Sequence, residues 1–350
     1  MTIASAEKTP LVITEFHPRD EAAWEAFVER CPEATFFHRL GWRRILAEVF
    51  GHRTHYLCAK EGGTIRGVLP LAEVKSLLFG HSLVSTPFCV YGGAAAETEA
   101  ARTALEEAAC RLAESRGVDH LALRNRQARR PDWPRQELYA TFRKPLDPDP
   151  ETNFRAIPRK QRAMVRKGMD AGLRGEIDPG VERLYPLYAE SVRNLGTPVF
   201  PLAYFRALKA EFGADCQVLT ITHQGRPVSS VLSFYFRGEV LPYYGGGTEA
   251  ARELKANDFM YWELMRRAAE QGVGVFDFGR SKRDTGSYRF KKHWGFEAEP
   301  LHYEYHLVRD EAVPQRNPLN PRYRFFIEAW KRLPVAVTRA VGPVLARHLG

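Results

Sequence analysis

The sequence has few cysteines and no long apolar segment, and both absences limit what the protein can be. Its five cysteines are scattered singly, without a CxxC pair, which argues against a zinc site or a disulfide framework and favours a reducing compartment. No run of 18 apolar residues occurs, so we expect no membrane-spanning helix. The first ten residues lack the apolar stretch of a signal peptide. We therefore expect a cytoplasmic protein.

The familiar catalytic signatures are also missing. The chain contains no GxSxG, HExxH or GxxxxGK[ST] motif. The glycine run at 245–247 does not continue into a dinucleotide-binding fingerprint, and the histidine spacings fit no known metal site, so we predict no metal and no tightly bound cofactor. The chemistry has to come from residues that no general motif identifies.

The composition is that of an ordinary globular protein, with 44% hydrophobic and 27% charged residues. At about 150 residues per domain, 350 residues predict two domains. The net charge of +9 is concentrated in two patches, residues 155–174 and 316–350, each with seven basic residues and one acidic residue. Such patches bind phosphates, nucleic acid or an anionic membrane surface, although a solvated helix face has the same composition.

An internal duplication is visible when the two halves are compared. Tyr91-Gly92-Gly93 precedes a predicted helix over 98–116 that ends at Gly117, and a strand over 118–124 follows. Tyr244-Gly245-Gly246 precedes a predicted helix over 257–271 that ends at Gly272, and a strand over 273–278 follows. The helical pattern of this segment is carried by Phe259, Trp262, Met265 and Ala269. A predicted hairpin lies upstream in each half, at 55–74 and 217–236. The same order at similar spacing predicts two similar α+β domains.

Prolines place the predicted boundary between these domains. Pro145, Pro148 and Pro150 read as a linker, because proline cannot donate a hydrogen bond to a sheet. We predict domains at 1–147 and 148–310, followed by a basic helical extension at 311–350. Its last helix carries an apolar stripe, Val337, Val341, Leu345 and Leu349, which would either pack on the second domain or lie on a membrane surface.

The segment 276–296, FDFGRSKRDTGSYRFKKHWGF, holds the main candidate site. Gly279, Arg280 and Ser281 follow a predicted strand, and Thr285 would cap a helix that carries Lys291. Basic side chains there suit a substrate that bears phosphate or carboxylate. The segment's aromatic residues are expected to belong to the core.

The tandem YGG–helix–strand halves and the FDFGRS…TGSYRFKKHWGF segment resemble the FemAB family. The similarity extends to the FemAB-related acyltransferases that are associated with PEP-CTERM and exopolysaccharide gene clusters, and it covers most of residues 11–309. Ile157-Pro158-Arg159-Lys160-Gln161-Arg162 resembles the opening of that family's basic helix. The resemblance implies an α+β fold of two tandem GNAT-like (acyl-CoA N-acyltransferase-like) domains.

The resemblance also implies catalytic residues. A Phe-Lys pair of the family lies at the donor channel, and here that pair is Phe290-Lys291, with Lys291 stabilising the tetrahedral oxyanion. Substrate-binding candidates are distributed over the basic helix (158–169), the second YGG motif and the strand end: Arg159, Lys160, Arg166, Tyr244, Gly279, Arg280 and Ser281.

The implied function is transfer of an acyl or aminoacyl group onto an amine of a peptidoglycan, exopolysaccharide or other cell-envelope precursor. The R/QxxGxG/A loop that binds acetyl-CoA in ordinary GNAT enzymes is missing before either predicted helix, which favours an aminoacyl-tRNA or another acyl carrier as co-substrate. Peripheral contact with the inner membrane fits the basic C-terminus. The alternative is a non-catalytic protein that binds RNA or a membrane surface through its two basic patches.

Overall fold

The computed structural model describes residues 10–76, 80–314 and 321–349, with side chains from 325 onward in the last range. Arg316 and Pro318 lie outside the described residues, as do the side chains of Arg322 and Arg324. The strands are β1 (Leu11–Glu15), β2 (Thr54–Glu61), β3 (Thr64–Ser76), β4 (Gly80–Ser85), β5 (Ala95–Ala96), β6 (His120–Asn125), β7 (Arg135–Gln136), β8 (Tyr139–Thr141), β9 (Arg143–Pro145), β10 (Arg174–Asp178), β11 (Cys216–His223), β12 (Arg226–Phe236), β13 (Glu239–Gly247), β14 (Val275–Asp277), β15 (Ser281–Lys282), β16 (Glu299–Pro300) and β17 (His302–Leu307).

The α-helices of the described ranges are α1 (Glu21–Arg30), α2 (Gly41–Glu48), α3 (Glu99–Arg116), α4 (Pro150–Ala156), α5 (Arg159–Asp170), α6 (Leu184–Asn194), α7 (Leu202–Phe212), α8 (Glu249–Glu253), α9 (Ala256–Glu270), α10 (Gly286–His293), α11 (Pro321–Arg332) and α12 (Val335–Ala346). In these ranges, no helix combines the length and the apolarity that a membrane crossing requires.

The chain forms two compact units. In the first, the main sheet has the order β1-β2-β3-β4-β6-β17-β7, and β5 pairs with β3. Neighbouring strands are antiparallel except β4 and β6, which are parallel. The helix α3 connects those two parallel strands and buries Ala101, Leu105 and Ala109 in the core of this unit.

The second unit repeats this arrangement. Its main sheet has the order β10-β11-β12-β13-β14-β9, and again one pair, β13 and β14, is parallel. The helix α9 makes the crossover between them and buries Phe259, Trp262, Met265 and Ala269, the four positions predicted from the sequence. The duplication is therefore confirmed in topology, and the α+β fold with two GNAT-like units is as predicted. A small additional sheet has the order β15-β8-β16.

The sixth strand of each main sheet comes from the other half of the chain. The strand β9 lies at the edge of the second sheet, and β17 lies between β6 and β7 in the first. The compact units therefore comprise residues up to 136 with 302–313, and residues 137–301 with 314–349, whereas the predicted ranges were 1–147, 148–310 and 311–350. The interpretation of Pro145 as linker was wrong: Pro145 pairs with Val275. Proline is tolerated because β9 is an edge strand.

The two C-terminal helices pack on α6 and on the loop that follows it. Trp330 of α11 is buried and donates its indole N–H to the carbonyl of Thr197 over 3.1 Å. The helix α12 buries Thr338, Gly342 and Ala346, which recur at every fourth position. The apolar stripe predicted for this helix does not form that contact, since Val337 and Val341 are exposed.

Candidate active site

The site is organised around the C-terminal end of β14, where β13 and β14 separate. These parallel strands pair at only two positions, Glu239 with Val275 and Val240 with Phe276. Beyond these positions β13 continues to Gly247, whereas β14 ends at Asp277. A bulge between β12 and β13, where the register skips Tyr243, bends β13 in the same region. Beyond these two positions, no strand of the described residues pairs with this edge of β13.

The turn after β14 depends on Gly279. Its φ of +67° lies in the left-handed region, and a Cβ there would approach the Leu241 side chain of β13 to 3.4 Å. Its N–H donates to Oδ1 of Asp277 over 2.8 Å. The turn thereby directs the carbonyl groups of Gly279 and Arg280 toward Lys291.

Lys291 lies in the last turn of α10, a helix that begins as predicted with Thr285 accepting a hydrogen bond from the Tyr288 N–H. Its Nζ donates to the carbonyl oxygens of Gly279 over 2.9 Å and Arg280 over 3.1 Å. The same atom lies 5.4 Å from the ring centre of Phe142 and 5.6 Å from that of Phe278. An ammonium group has three N–H donors, so one N–H of Lys291 has no partner within the part of the chain that the structure describes.

Burial controls the charge of this lysine. Only 8% of Lys291 is exposed, and burial lowers its pKa from 10.5 to about 7. The carboxylate of Asp277 opposes this shift, and the cation of Arg280 adds to it. Lys291 therefore changes protonation state in the physiological range, which is typical of a functional group rather than a surface lysine.

A buried ion pair, which the sequence analysis did not identify, lies directly before the turn at Gly279. Asp277 is 1% exposed and accepts a hydrogen bond from Nη1 of Arg143 over 2.9 Å. Arg143 also contacts Glu239, at the start of β13. Asp277 could have been noticed as a charged residue between Phe276 and Phe278 in a buried strand, but Arg143 could not, because it comes from the strand that the other half contributes.

Phe290 belongs to the aromatic layer beside Lys291. Its ring centre lies 5.8 Å from that of Tyr261, 6.1 Å from Trp294 and 6.2 Å from Phe278. Because Phe278 contacts both Phe290 and the Lys291 ammonium, the aromatic layer forms one wall of the lysine's surroundings.

Arg280 and Ser281 lie next to this turn. The guanidinium of Arg280 is stacked 4.5 Å from the ring centre of Tyr139. Ser281 pairs with Ala140 in the small sheet, and its buried hydroxyl has no hydrogen-bond partner in the described residues. The structure thus places four of the predicted site residues close together: Gly279, Arg280, Ser281 and Lys291.

The N-terminal end of the basic helix α5 lies beside the C-terminal end of α10. The side-chain amide of Gln161 and the indole N–H of Trp294, the latter over 3.3 Å, both donate to Oδ1 of Asp258. Pro158, which is the N-cap of α5 rather than its first residue, lies 3.2 Å from where a Cβ of Gly295 would be. The start of α5 therefore adjoins the end of α10, although sequence reasoning selected neither Asp258 nor Gln161.

The predicted basic residues of α5 are on its solvent side. Arg159 and Lys160 are exposed in the first turn, and Arg166 is exposed with its guanidinium 5.4 Å from the Phe154 ring centre. Tyr244 lies elsewhere, in an aromatic cluster formed with α6 and α7, where its hydroxyl is 2.9 Å from that of Tyr204. The structure does not place Tyr244 in contact with Lys291.

The chain is similar to one known domain family and to several proteins of known structure. Residues 155–292 match the acetyltransferase (GNAT) domain family. No curated protein matches the chain in sequence. Among solved structures, FemX is similar with a TM-score of 0.62 and 14% identity over 83% of this chain and 97% of FemX.

Two further structures share the fold. The C-terminal domain of a putative lysylphosphatidylglycerol synthetase from Agrobacterium fabrum has a TM-score of 0.58 and 13% identity over 83% of this chain and 92% of that chain. A tandem GNAT protein from the clavulanic acid biosynthesis pathway has a TM-score of 0.54 and 14% identity over 85% of this chain and 99% of that chain. At such identities the similarity shows the fold. The strand order and these structures agree that the chain is built of two tandem GNAT-like units with a C-terminal helical extension, and the second unit contains the match to the acetyltransferase (GNAT) domain family.

Proposed function

We propose that the protein moves an acyl or aminoacyl group from an activated carrier onto an amine of a cell-envelope or exopolysaccharide precursor. The observation that carries the proposal is Lys291, a buried lysine that has one N–H donor without a partner in the described residues and that lies at the turn where β14 separates from β13. The match of residues 155–292 to an acetyltransferase domain favours an enzyme over the non-catalytic binding protein considered above.

The proposed reaction needs no nucleophilic side chain. The acceptor amine attacks the carbonyl carbon of the donor ester or thioester, and its electron pair forms the new C–N bond while negative charge develops on the carbonyl oxygen. The protonated Lys291 donates its third N–H to that oxygen, and this interaction is stronger in the transition state than in the ground state. Collapse of the intermediate breaks the bond to the carrier, which leaves with its electron pair and gains a proton as the amine loses one.

The donor is proposed to be an aminoacyl-tRNA or another acyl carrier. Support comes from the exposed Arg159 and Lys160 at the start of α5, since phosphate groups bind to clusters of such side chains. Arg280, beside the Lys291 turn, is proposed to hold a phosphate or carboxylate of the substrate. The relatives named as FemX and as a putative lysylphosphatidylglycerol synthetase are compatible with an acceptor in the cell envelope, and the exopolysaccharide acceptor rests on the resemblance to proteins of PEP-CTERM gene clusters.

The test compares Lys291→Met with Lys292→Met. Label transfer is measured from aminoacyl-tRNA and from acyl thioesters onto amine-bearing envelope precursors. Lys291→Met keeps the apolar stem but removes the cation, and we expect kcat to fall about 100-fold or more with a smaller change in KM. Lys292 is exposed on the same helix, about 100° further round, and its variant should retain most activity.

Equal losses in the two variants would contradict the role of Lys291. Absence of transfer from every carrier tested, with a wild-type chain that melts cooperatively, would contradict the function itself.

A further inference from the structure

The C-terminal extension exposes an unusual amount of apolar side chain. Of the ten large hydrophobic residues that are exposed in the described residues, six lie between 325 and 349. Phe325 and Phe326 of α11 are 84% and 44% exposed. In α12 and after it, the exposed residues are Val337, Val341, Val344 and Leu349. A concentration of exposed apolar side chains in one segment is typical of a place of interaction.

The packing of the extension leaves this surface unused. The helix α12 is seated through its small residues, and a Cβ on Gly342 would lie 2.7 Å from the backbone nitrogen of Val199. Val337, Val341 and Val344 follow one another at spacings of four and three, which places them on one face of the helix, away from Gly342. The helix is therefore fixed by one side and presents valines on another.

Positive charge accompanies the exposed apolar groups. Residues 316–350 contain seven basic residues and one acid, and that acid, Glu328, is paired with Lys331 over 2.8 Å. Arg332, Arg339 and Arg347 are exposed. The guanidinium of Arg339 lies over the Tyr185 ring, whereas Arg332 has no ion pair among the described residues.

We propose that the extension docks on the surface of an anionic phospholipid bilayer. Phe325, Phe326 and the valine face of α12 enter the headgroup region, and the arginines contact lipid phosphates. A bilayer surface accepts both features, because binding of a basic amphipathic helix grows with buried apolar area and with attraction to anionic lipid. RNA would bind the arginines but would give the valines no partner. The inference goes beyond the transfer reaction, and its test needs no substrate.

The test is flotation of the full chain with phosphatidylcholine vesicles that contain or lack phosphatidylglycerol. The wild type should float only with the anionic vesicles, and rising salt should weaken the binding. The Phe325→Ser, Val344→Ser double variant removes apolar contact at two exposed positions and should lower the partition coefficient at least about tenfold. Arg332→Gln should lower it about fivefold.

Matched controls use the same substitutions at exposed positions elsewhere. Val12→Ser, at a valine of β1 that is 51% exposed, and Arg252→Gln, on the exposed side of α8, should leave flotation unchanged. All variants should keep the wild-type melting temperature, since each site is exposed. Flotation unaffected by the Phe325 and Val344 substitutions would overturn the proposal. Two other results would also overturn it if the wild type does not float with the vesicles. One is self-association, measured by sedimentation, that these substitutions abolish. The other is retention on RNA that the same substitutions abolish.

Discussion

Lys291 combines two properties that oppose each other, the positive charge that the proposed mechanism requires and burial among aromatic rings. Its two hydrogen bonds to backbone carbonyls and its place at the C-terminal end of α10 favour the charged form, but burial outweighs them and lowers the pKa to about 7. The protonated fraction, and with it the proposed contribution of Lys291 to oxyanion stabilisation, should therefore fall as the pH rises above 7.

The same shift predicts how stability depends on pH. The folded-state pKa of about 7 is below the ordinary value of 10.5, so between these pH values the unfolded chain binds more protons and raising the pH favours the folded state. Relative to Lys291→Met, the wild-type free energy of unfolding should rise by up to about 1.4 kcal/mol per pH unit in this window. Urea unfolding from pH 6 to pH 10 measures it. Lys292→Met should run parallel to the wild type, and a parallel curve for Lys291→Met would contradict the shift.

At the scale of single residues, the sequence supplied the candidate catalytic side chains but not the residues that hold them in place. Phe290 and Lys291 were recognised through a family resemblance, and Gly279 through the strand that precedes it. Asp258 and Arg143 were not, because each acts on residues that are distant in sequence: Arg143 Nη1 bonds to a carboxylate 134 positions away. Local pattern carries no information about such pairs.

Among the elements, the basic helix α5 is proposed to bind the anionic donor. Its first turn adjoins the end of α10, and its Arg159, Lys160 and Arg166 are exposed. Neutralising all three to glutamine should weaken binding of the anionic donor and reduce the slope of log affinity against log salt by about two to three, the value for three phosphate contacts. Donor binding measured over a series of salt concentrations gives that slope.

A matched triple variant controls for net charge. Arg206, Arg226 and Arg252 are exposed in α7, β12 and α8 of the second unit, so their replacement by glutamine should leave the slope unchanged. Equal slopes for the α5 variant and the wild type would leave α5 as solvated surface.

Two helices show when the spacing of apolar residues predicts the buried face of a helix and when it does not. The four core positions of α9 followed from spacing alone because that helix is surrounded by apolar groups on its buried side. In α12 the same reasoning selected Val337 and Val341, yet the structure buries Thr338, Gly342 and Ala346. Close approach to the backbone at Val199 requires small residues there, so steric fit decided the orientation rather than hydrophobicity.

For the whole molecule, the sequence predicted the two units but not the strands that they exchange. The repeat of glycines and hairpins shows the similarity of the halves, whereas β9 and β17 are short segments without a distinctive pattern. Their pairing is determined by the sheet edges available in the folded units. A linker assignment from proline content therefore placed the boundary inside a unit.

The exchange predicts which fragments can fold. Residues 137–349 contain every strand of the second unit, and we expect cooperative thermal unfolding from them. Residues 148–349 lack β8 and β9, which exposes β14 and leaves Asp277 without Arg143. An uncompensated buried charge alone costs about 3–5 kcal/mol, a large part of an ordinary domain's stability. Circular dichroism during heating should show no cooperative transition for the shorter fragment.

Arg143→Met in the longer fragment separates the two effects, since it removes the ion pair but keeps the strand. Its melting temperature should lie below that of the unchanged fragment. If residues 148–349 melt as cooperatively as residues 137–349, then β9 is dispensable and the exchange has no energetic importance.

The position of β17 in the first sheet also determines when that unit can be completed on the ribosome. Glu304 of β17 is fully buried and accepts a hydrogen bond from the Asn125 side chain, 179 residues earlier, over 2.6 Å. At a synthesis rate of about 5–20 residues per second, Glu304 is added roughly 10–35 s after Asn125. During that interval β6 has an open edge of the kind that pairs with other chains. The nascent first unit must therefore remain unfinished until β17 has been made, and this is the period in which chaperones would have to protect it.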